Sequence, residues 1–241
     1  HDAEPWDNPR VREAANLALD RPALAETVFD GSREPLFGPA PLQVPGAETV
    51  FPTRDLARAR QLLAQAGYSE STPAVVTLTF INDGRYSDRE AQYAEAIKAQ
   101  LEETGVFQVT LESAPWEIYR IQIAECGYPF YLMGWPSPGR PVNALDVSSW
   151  TDFFIQNTDS GFCSNYESTR MDALLEEARA ETDTAVLLDI YGEMQALWAE
   201  ELPTADLLAE PGWALSLDYV DGVRFDGLGL MQYAYLSKEQ P

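Results

Sequence analysis

Tyr128-Pro129-Phe130-Tyr131-Leu132-Met133-Gly134-Trp135 is a short apolar, aromatic-rich run that breaks into Pro136-Ser137-Pro138-Gly139-Arg140-Pro141. The first half is bounded by breakers and reads as a buried strand. The second half holds three prolines and a glycine in six residues, so it continues neither a strand nor a helix. In open α/β sheets ligands sit beyond the carboxyl ends of strands, on loops held by the rigid sheet. Trp135, Arg140, Asn143 and Asp146 are therefore candidate ligand contacts, and Trp150 ends the same stretch. Core packing competes with ligand contact for Trp135 and Trp150, and plain solvation competes for Arg140.

Working outward, the middle of the chain alternates strand and helix. Ala74 to Ile81 is β-branched and apolar, a strand, and Asn82-Asp83-Gly84 turns the chain. A helix is predicted from about Ser87 to Thr104, stopped by Gly105. Val106, Val109 and Leu111 alternate as the next strand, and Trp116 to Ala124 reads as a helix leading to Tyr128. This order predicts an α/β fold with a mostly parallel sheet flanked by helices.

Upstream, Asn8 and Pro9 open an amphipathic helix, Asp20-Arg21-Pro22 breaks it, and a second short helix runs to about Phe29. Gly31 to Pro52 is rich in proline and glycine, a long irregular connection. Asp55 caps a helix that Gly67 closes. Downstream, Trp150 to Tyr166 has little regular signal. Ser168 starts a helix through Ala178, a second follows through Trp198, and a last strand pair is predicted near Ala205–Ala209 and Trp213–Leu217.

Composition excludes several classes. The 241 residues carry 39 acidic and 16 basic side chains, a formal net charge of −23. That balance argues against nucleic acid, whose phosphates require clustered lysine and arginine, and against anionic membrane surfaces. Hydrophobic residues make up 45%, enough for a sizeable core. No apolar run approaches the roughly 20 residues of a membrane span. The sole histidine is His1, so the Ser-His-Asp and Cys-His machineries have no internal base. Two cysteines, Cys126 and Cys163, fit one disulfide or two buried thiols, and without a histidine partner they do not complete a zinc site. No metal and no cofactor is expected. A carboxylate pair such as Asp146 with Asp152 leaves a glycoside hydrolase open, and an exposed apolar patch would suit a sensor or adaptor lobe that binds a protein partner.

Four segments, in order, resemble one family. Val11-Arg12-Glu13-Ala14-Ala15-Asn16-Leu17-Ala18-Leu19-Asp20-Arg21 is similar to a "VRqAlnyAiDR" segment. Leu62-Leu63-Ala64-Gln65-Ala66-Gly67-Tyr68 is similar to "LLaeAGY". Met133-Gly134-Trp135 matches a "GW" strand end, and Asn165-Tyr166 through Arg179 looks like "Nysnpe-vDaLleeAr". All four belong to the family 5 extracellular solute-binding proteins, the oligopeptide-, dipeptide- and nickel-binding receptors of ABC importers.

The resemblance implies the second lobe of a two-lobed, periplasmic-binding-protein-like (type II) fold, over residues 1–210. Residues 211–241 would return toward a first lobe. It implies a small-molecule or peptide ligand held between lobes, ABC permease subunits as membrane partners and a monomeric state. The implied location is extracytoplasmic, periplasmic or as a cell-surface lipoprotein. The chain opens on His1-Asp2 rather than Met, as expected of a piece of something longer. In the peptide-binding members an acid three positions after "GW" pairs with the peptide amino terminus. Pro138 stands there instead, and Arg140-Pro141 replaces their "DP". A guanidinium repels an ammonium and favours a carboxylate or phosphate. An exported protein would also permit a Cys126–Cys163 bridge.

Overall fold

The structure, a computed structural model, describes residues 2–134, 165–210, 214–225 and 231–238. Helix starts follow side-chain caps. Asn8 Oδ1 accepts the Arg10 amide at 3.0 Å and opens α1, Pro9–Ala18. Asp20 Oδ1 accepts the Ala23 amide at 3.0 Å and opens α2, Arg21–Phe29. Asp55 does the same for α3, Leu56–Gln65, bonding the Arg58 amide at 2.9 Å. Each cap satisfies an amide that has no partner inside its helix. Gly67, at φ +94°, supplies the left-handed turn after α3 that a side chain would resist.

The centre is a β–α–β unit. β2, Ala74–Ile81, and β3, Phe107–Ala114, pair in parallel from Ala74 against Phe107 to Ile81 against Ala114. α4, Glu90–Glu102, crosses between them. Parallel strands need such a crossover. α4 starts at Glu90 rather than near Ser87, because Ser87 to Arg89 is occupied otherwise. Ser87 Oγ takes the Arg89 amide, and the Arg89 guanidinium reaches the Val28 carbonyl at 2.6 Å and the Asp30 carboxylate at 2.7 Å.

α5, Trp116–Ala124, leads into the aromatic run. The strand predicted there reduces to a single parallel bridge between Thr79 and Tyr131 among the described residues. The Thr79 amide donates to Phe130 O at 3.0 Å, and the Leu132 amide to Thr79 O at 2.9 Å. Pro129 has no amide to extend the ladder, and the chain enters from a left-handed turn at Cys126, φ +58°.

Two further helices, α6 (Thr169–Ala180) and α7 (Thr184–Glu201), start at the caps Ser168 and Asp183. They pack over the Gly31–Pro52 connection, burying Ala40, Phe51, Tyr166, Met171, Met194 and Trp198 together. That connection is irregular apart from β1, Glu34–Pro35. β4, Leu208–Ala209, pairs antiparallel with β1, not with the stretch near Trp213–Leu217 as the sequence predicts. The described part of that stretch, 214–217, is not a strand; Val220–Asp221 (β5) pairs with Ser237–Lys238 (β6) instead. Two-residue ladders are chosen by long-range geometry, which local pattern does not encode.

A buried polar junction fastens α1 and α2 to the residues after α7. Arg21 is 1% exposed and lies against the rings of Phe37 and Phe51, 5.7 and 5.2 Å from their centroids. Its guanidinium donates to Asn16 Oδ1 and, at 2.8 Å, to the Asp206 carbonyl. Asp206 accepts from the Trp198 indole at 3.2 Å and the Thr204 hydroxyl at 2.9 Å. Burial pushes the Asp206 carboxyl up to about 6, against those hydrogen bonds and the nearby Arg21 charge.

Candidate functional site

β2 and β3 end in step, at Ile81 and Ala114, so the loops that leave them start side by side. The Asn82 amide donates to Ala114 O at 3.2 Å and its side chain to Ser113 Oγ at 3.0 Å. Asp83 Oδ2 accepts the Trp116 amide at 2.6 Å, which ties the post-β2 loop to the first turn of α5. These bonds hold the carboxyl edge of the pair as a rigid rim.

A small separate core forms its floor: Ile81, Ala114, Tyr119 and Ile123, with Tyr86, Trp116, Tyr128, Tyr131 and Met133 packed against it. The Tyr119 hydroxyl donates to Leu132 O at 2.6 Å and lies 3.0 Å from Thr79 O, riveting the aromatic run to β2. The Tyr86 hydroxyl donates to Met133 Sδ at 3.1 Å. Gly134 lies flush on the Tyr86 ring: a Cβ there would sit 2.7 Å from Cδ1. Only glycine permits that approach.

Over this floor sits a cation, Arg85. The Arg85 guanidinium carbon is 3.8 Å from the Trp116 ring centroid and 5.7 Å from that of Tyr86. Burial raises the Tyr86 phenol above its ordinary pKa, and the Arg85 charge opposes that rise. Burial pushes Tyr131 up to about 12. Glu90, the first residue of α4, is pushed up to about 7 by burial; Arg33 opposes the shift and Asp83 reinforces it. The edge therefore offers aromatic faces, a guanidinium and one carboxyl, Glu90, raised by burial. It has no nucleophile paired with a histidine base, since the only histidine is His1.

The five contacts predicted from sequence, Trp135, Arg140, Asn143, Asp146 and Trp150, lie outside the described residues. Met133 and Gly134, which directly precede Trp135, belong to the edge. Cys126 is disulfide-bonded; the only other cysteine in the sequence, Cys163, lies outside the described residues. Among the described residues no cluster of three or more His, Cys, Asp or Glu side chains is arranged to hold a metal ion. Sequence reasoning missed Asp83, Arg85, Tyr86, Glu90 and Trp116. The available signals were a polar turn after a strand and a tryptophan just past the next one. A cleft between α1 and α3, near Glu13 and Arg58, lies elsewhere. Its charges are engaged: Arg54 with Glu103 at 2.6 Å, Arg58 with Glu13 at 3.9 Å, and Asp55 in the α3 cap.

Parallel strands that end level at an aromatic, cation-bearing rim, with helices packed around them, define the chain as α/β. Residues 1–183 match the bacterial extracellular solute-binding proteins, family 5 Middle, and the chain belongs to that family. It is 23% identical over 238 residues to the oligopeptide-binding protein OppA of Bacillus subtilis, covering 95% of this chain and 42% of that protein. The glutathione-binding protein GsiB of Pectobacterium atrosepticum is 30% identical over 208 residues, with 82% and 38% covered. In fold it is similar to a dipeptide-binding protein from Pseudoalteromonas sp. SM9913 solved with Met-Leu, at TM-score 0.79 and 22% identity, covering 99% of this chain and 46% of that one. The chain thus spans about two fifths of the length of these curated relatives. Among the described residues no helix is long and apolar enough to cross a membrane.

Proposed function

We propose that this chain is the second ligand-binding lobe of an ABC-importer receptor, capturing a peptide-like solute at the carboxyl edge of β2 and β3. The observation that carries the reading is the rim itself, where in-step strand ends bring Asp83, Arg85, Tyr86 and Trp116 together. Relatives named for oligopeptides and glutathione support a peptide-like ligand. The solute is held without chemistry of its own and passed to permease subunits outside the cytoplasm. Trp135, Arg140, Asn143, Asp146 and Trp150 add contacts from the proline loop. Residues 1–210 form the lobe, and the arm from 211 to 241 contacts a first lobe. Leu215 at 91% exposure and Tyr233 at 73% suit such a covered arm.

The test is calorimetric titration of the full-length receptor with di- and tripeptides. Trp116→Ala should weaken binding by roughly 1–3 kcal/mol, the scale of one lost aromatic anchor, with a smaller loss of stability. Hydrolysis of any peptide or glycoside, abolished by one carboxylate substitution, would overturn the reading, as would unchanged affinity in Trp116→Ala.

A further inference from the structure

We infer that the Glu102 carboxylate closes the outer edge of β3 and keeps that strand from pairing with the β3 of a second copy of this chain. β2 has a neighbour on each side, β3 and the bridge to Tyr131, whereas β3 pairs with β2 alone among the described residues. The Ala74 amide bonds Val106 O at 3.0 Å, and the Asn82 amide bonds Ala114 O at 3.2 Å. That phase turns the even-numbered amides and carbonyls of β3 toward β2. Those of Phe107, Val109, Leu111 and Ser113 point the other way, into the outer edge.

A row of outward backbone groups on a strand of 8 residues is a template for another strand. Here its first half is occupied from within the chain. Thr104 Oγ1 accepts the Phe107 amide at 3.2 Å, and Glu102 Oε1, at the last position of α4, accepts the Val109 amide at 3.0 Å. Lys98, one turn back on α4, lies 3.9 Å from the same oxygen. Among the described residues nothing takes the Leu111 and Ser113 amides. The edge is self-complementary. Antiparallel pairing about a two-fold axis at Leu111 sets Leu111 against its own copy and Val109 against Ser113 of the second copy. It also sets exposed Glu112 opposite exposed Thr110, so no acid faces its own copy across the ladder. In that register the Leu111 residues exchange both of their bonds, and each Ser113 amide meets a Val109 carbonyl. The remaining bonds need the Val109 amides, which Glu102 holds. On both sides of the axis an incoming Ser113 carbonyl would meet the carboxylate, oxygen against oxygen. The −23 charge of these 241 residues adds a long-range repulsion that salt screens, whereas the Glu102 block is a direct contact.

The test is sedimentation velocity on the full-length receptor over a concentration series in about 1 M NaCl, where the Debye length is about 3 Å. Wild type should stay monomeric, and so should Glu102→Gln, whose side-chain oxygen still accepts the Val109 amide. Glu102→Ala should dimerise, with an association constant about tenfold or more above wild type, because no charge-assisted bond then has to be broken on either side of the axis. Alanine is a good helix former, so α4 is retained in that variant, and a melting curve checks it. In the dimer, hydrogen exchange at the Leu111 and Ser113 amides should slow by about tenfold or more. Exchange at Gln108 and Thr110, whose amides already face β2, should stay as it was. Glu102→Ala that remains monomeric at every concentration, or that associates without protecting Leu111 and Ser113, overturns the inference. So does wild type or Glu102→Gln that dimerises as tightly as Glu102→Ala.

Discussion

Arg21 and Arg85 make the same kind of contact in opposite settings. Each guanidinium meets two aromatic rings, Phe37 and Phe51 for one, Trp116 and Tyr86 for the other. Arg21 is sealed at 1% exposure, bonds Asn16 and the Asp206 backbone, and joins the first two helices to the segment after α7. Arg85 stands at an open strand edge above a floor made for other purposes. A buried cation is held by everything around it and holds everything in return. An exposed cation on an aromatic seat is held by its local neighbours alone, here the Trp116 and Tyr86 rings.

The largest effect that would break the comparison is at the sealed site. Arg21→Met should cost roughly 3–5 kcal/mol of folding stability, because it strands the Asp206 carboxyl in the interior. The loss should be deeper at pH 8 than at pH 5. Asp206 already titrates near 6, and without its cation it holds its proton still longer, so ionising it costs more as pH rises. Urea denaturation at the two pH values measures this, and equal losses would show that Asp206 does not sense Arg21.

Next in size is Gly134→Ala. Its Cβ would fall 2.7 Å from Tyr86 Cδ1 and 2.8 Å from Cγ, so the ring must move. Overpacking of this kind costs roughly 1–3 kcal/mol. Because Tyr86 seats Arg85, solute affinity should fall with it. A variant that loses stability and keeps its full affinity would separate the floor from the seat.

The smallest effect sharpens the electrostatic side of the comparison. Glu90 titrates near 7 when folded against an ordinary 4.5. The folded state therefore keeps a proton that the unfolded chain has released, and stability falls as pH rises from about 4.5 through about 7. Partial exposure trims the effect to roughly 1–2 kcal/mol. Glu90→Gln should flatten that slope in denaturation midpoints measured at pH 5 and pH 8.

The elements legible in sequence were those specified locally. β2 from Ala74 to Ile81 and α5 from Trp116 to Ala124 match to the residue, and the caps Asn8, Asp55 and Ser168 stand where their side chains predicted. Partner choice was not legible. Pro129 looks like part of a strand by its neighbours, yet it cannot donate to a ladder, and Leu208–Ala209 finds Glu34–Pro35 across most of the chain. Arg85 was invisible for the same reason. Its meaning depends on Trp116, which reaches it only because Ile81 and Ala114 end level. The family's segments, in their order, were the clearest sequence signal, and the match over residues 1–183 bears them out.

The parallel pairing of β2 with β3 also has a kinetic side. Antiparallel neighbours can zip from a tight turn, one residue at a time. β2 and β3 have no such start, since α4 and its two connections must be laid down before Ala74 can face Phe107. The entropy of closing that long excursion falls due before any ladder bond repays it. The loops carrying Asp83, Arg85 and Trp116 hang from the far end of the same ladder, so they have no arrangement of their own to adopt ahead of it. The rim and the core beneath it are therefore expected to appear in one cooperative step, with capacity for solute regained at the rate of the slow parallel closure.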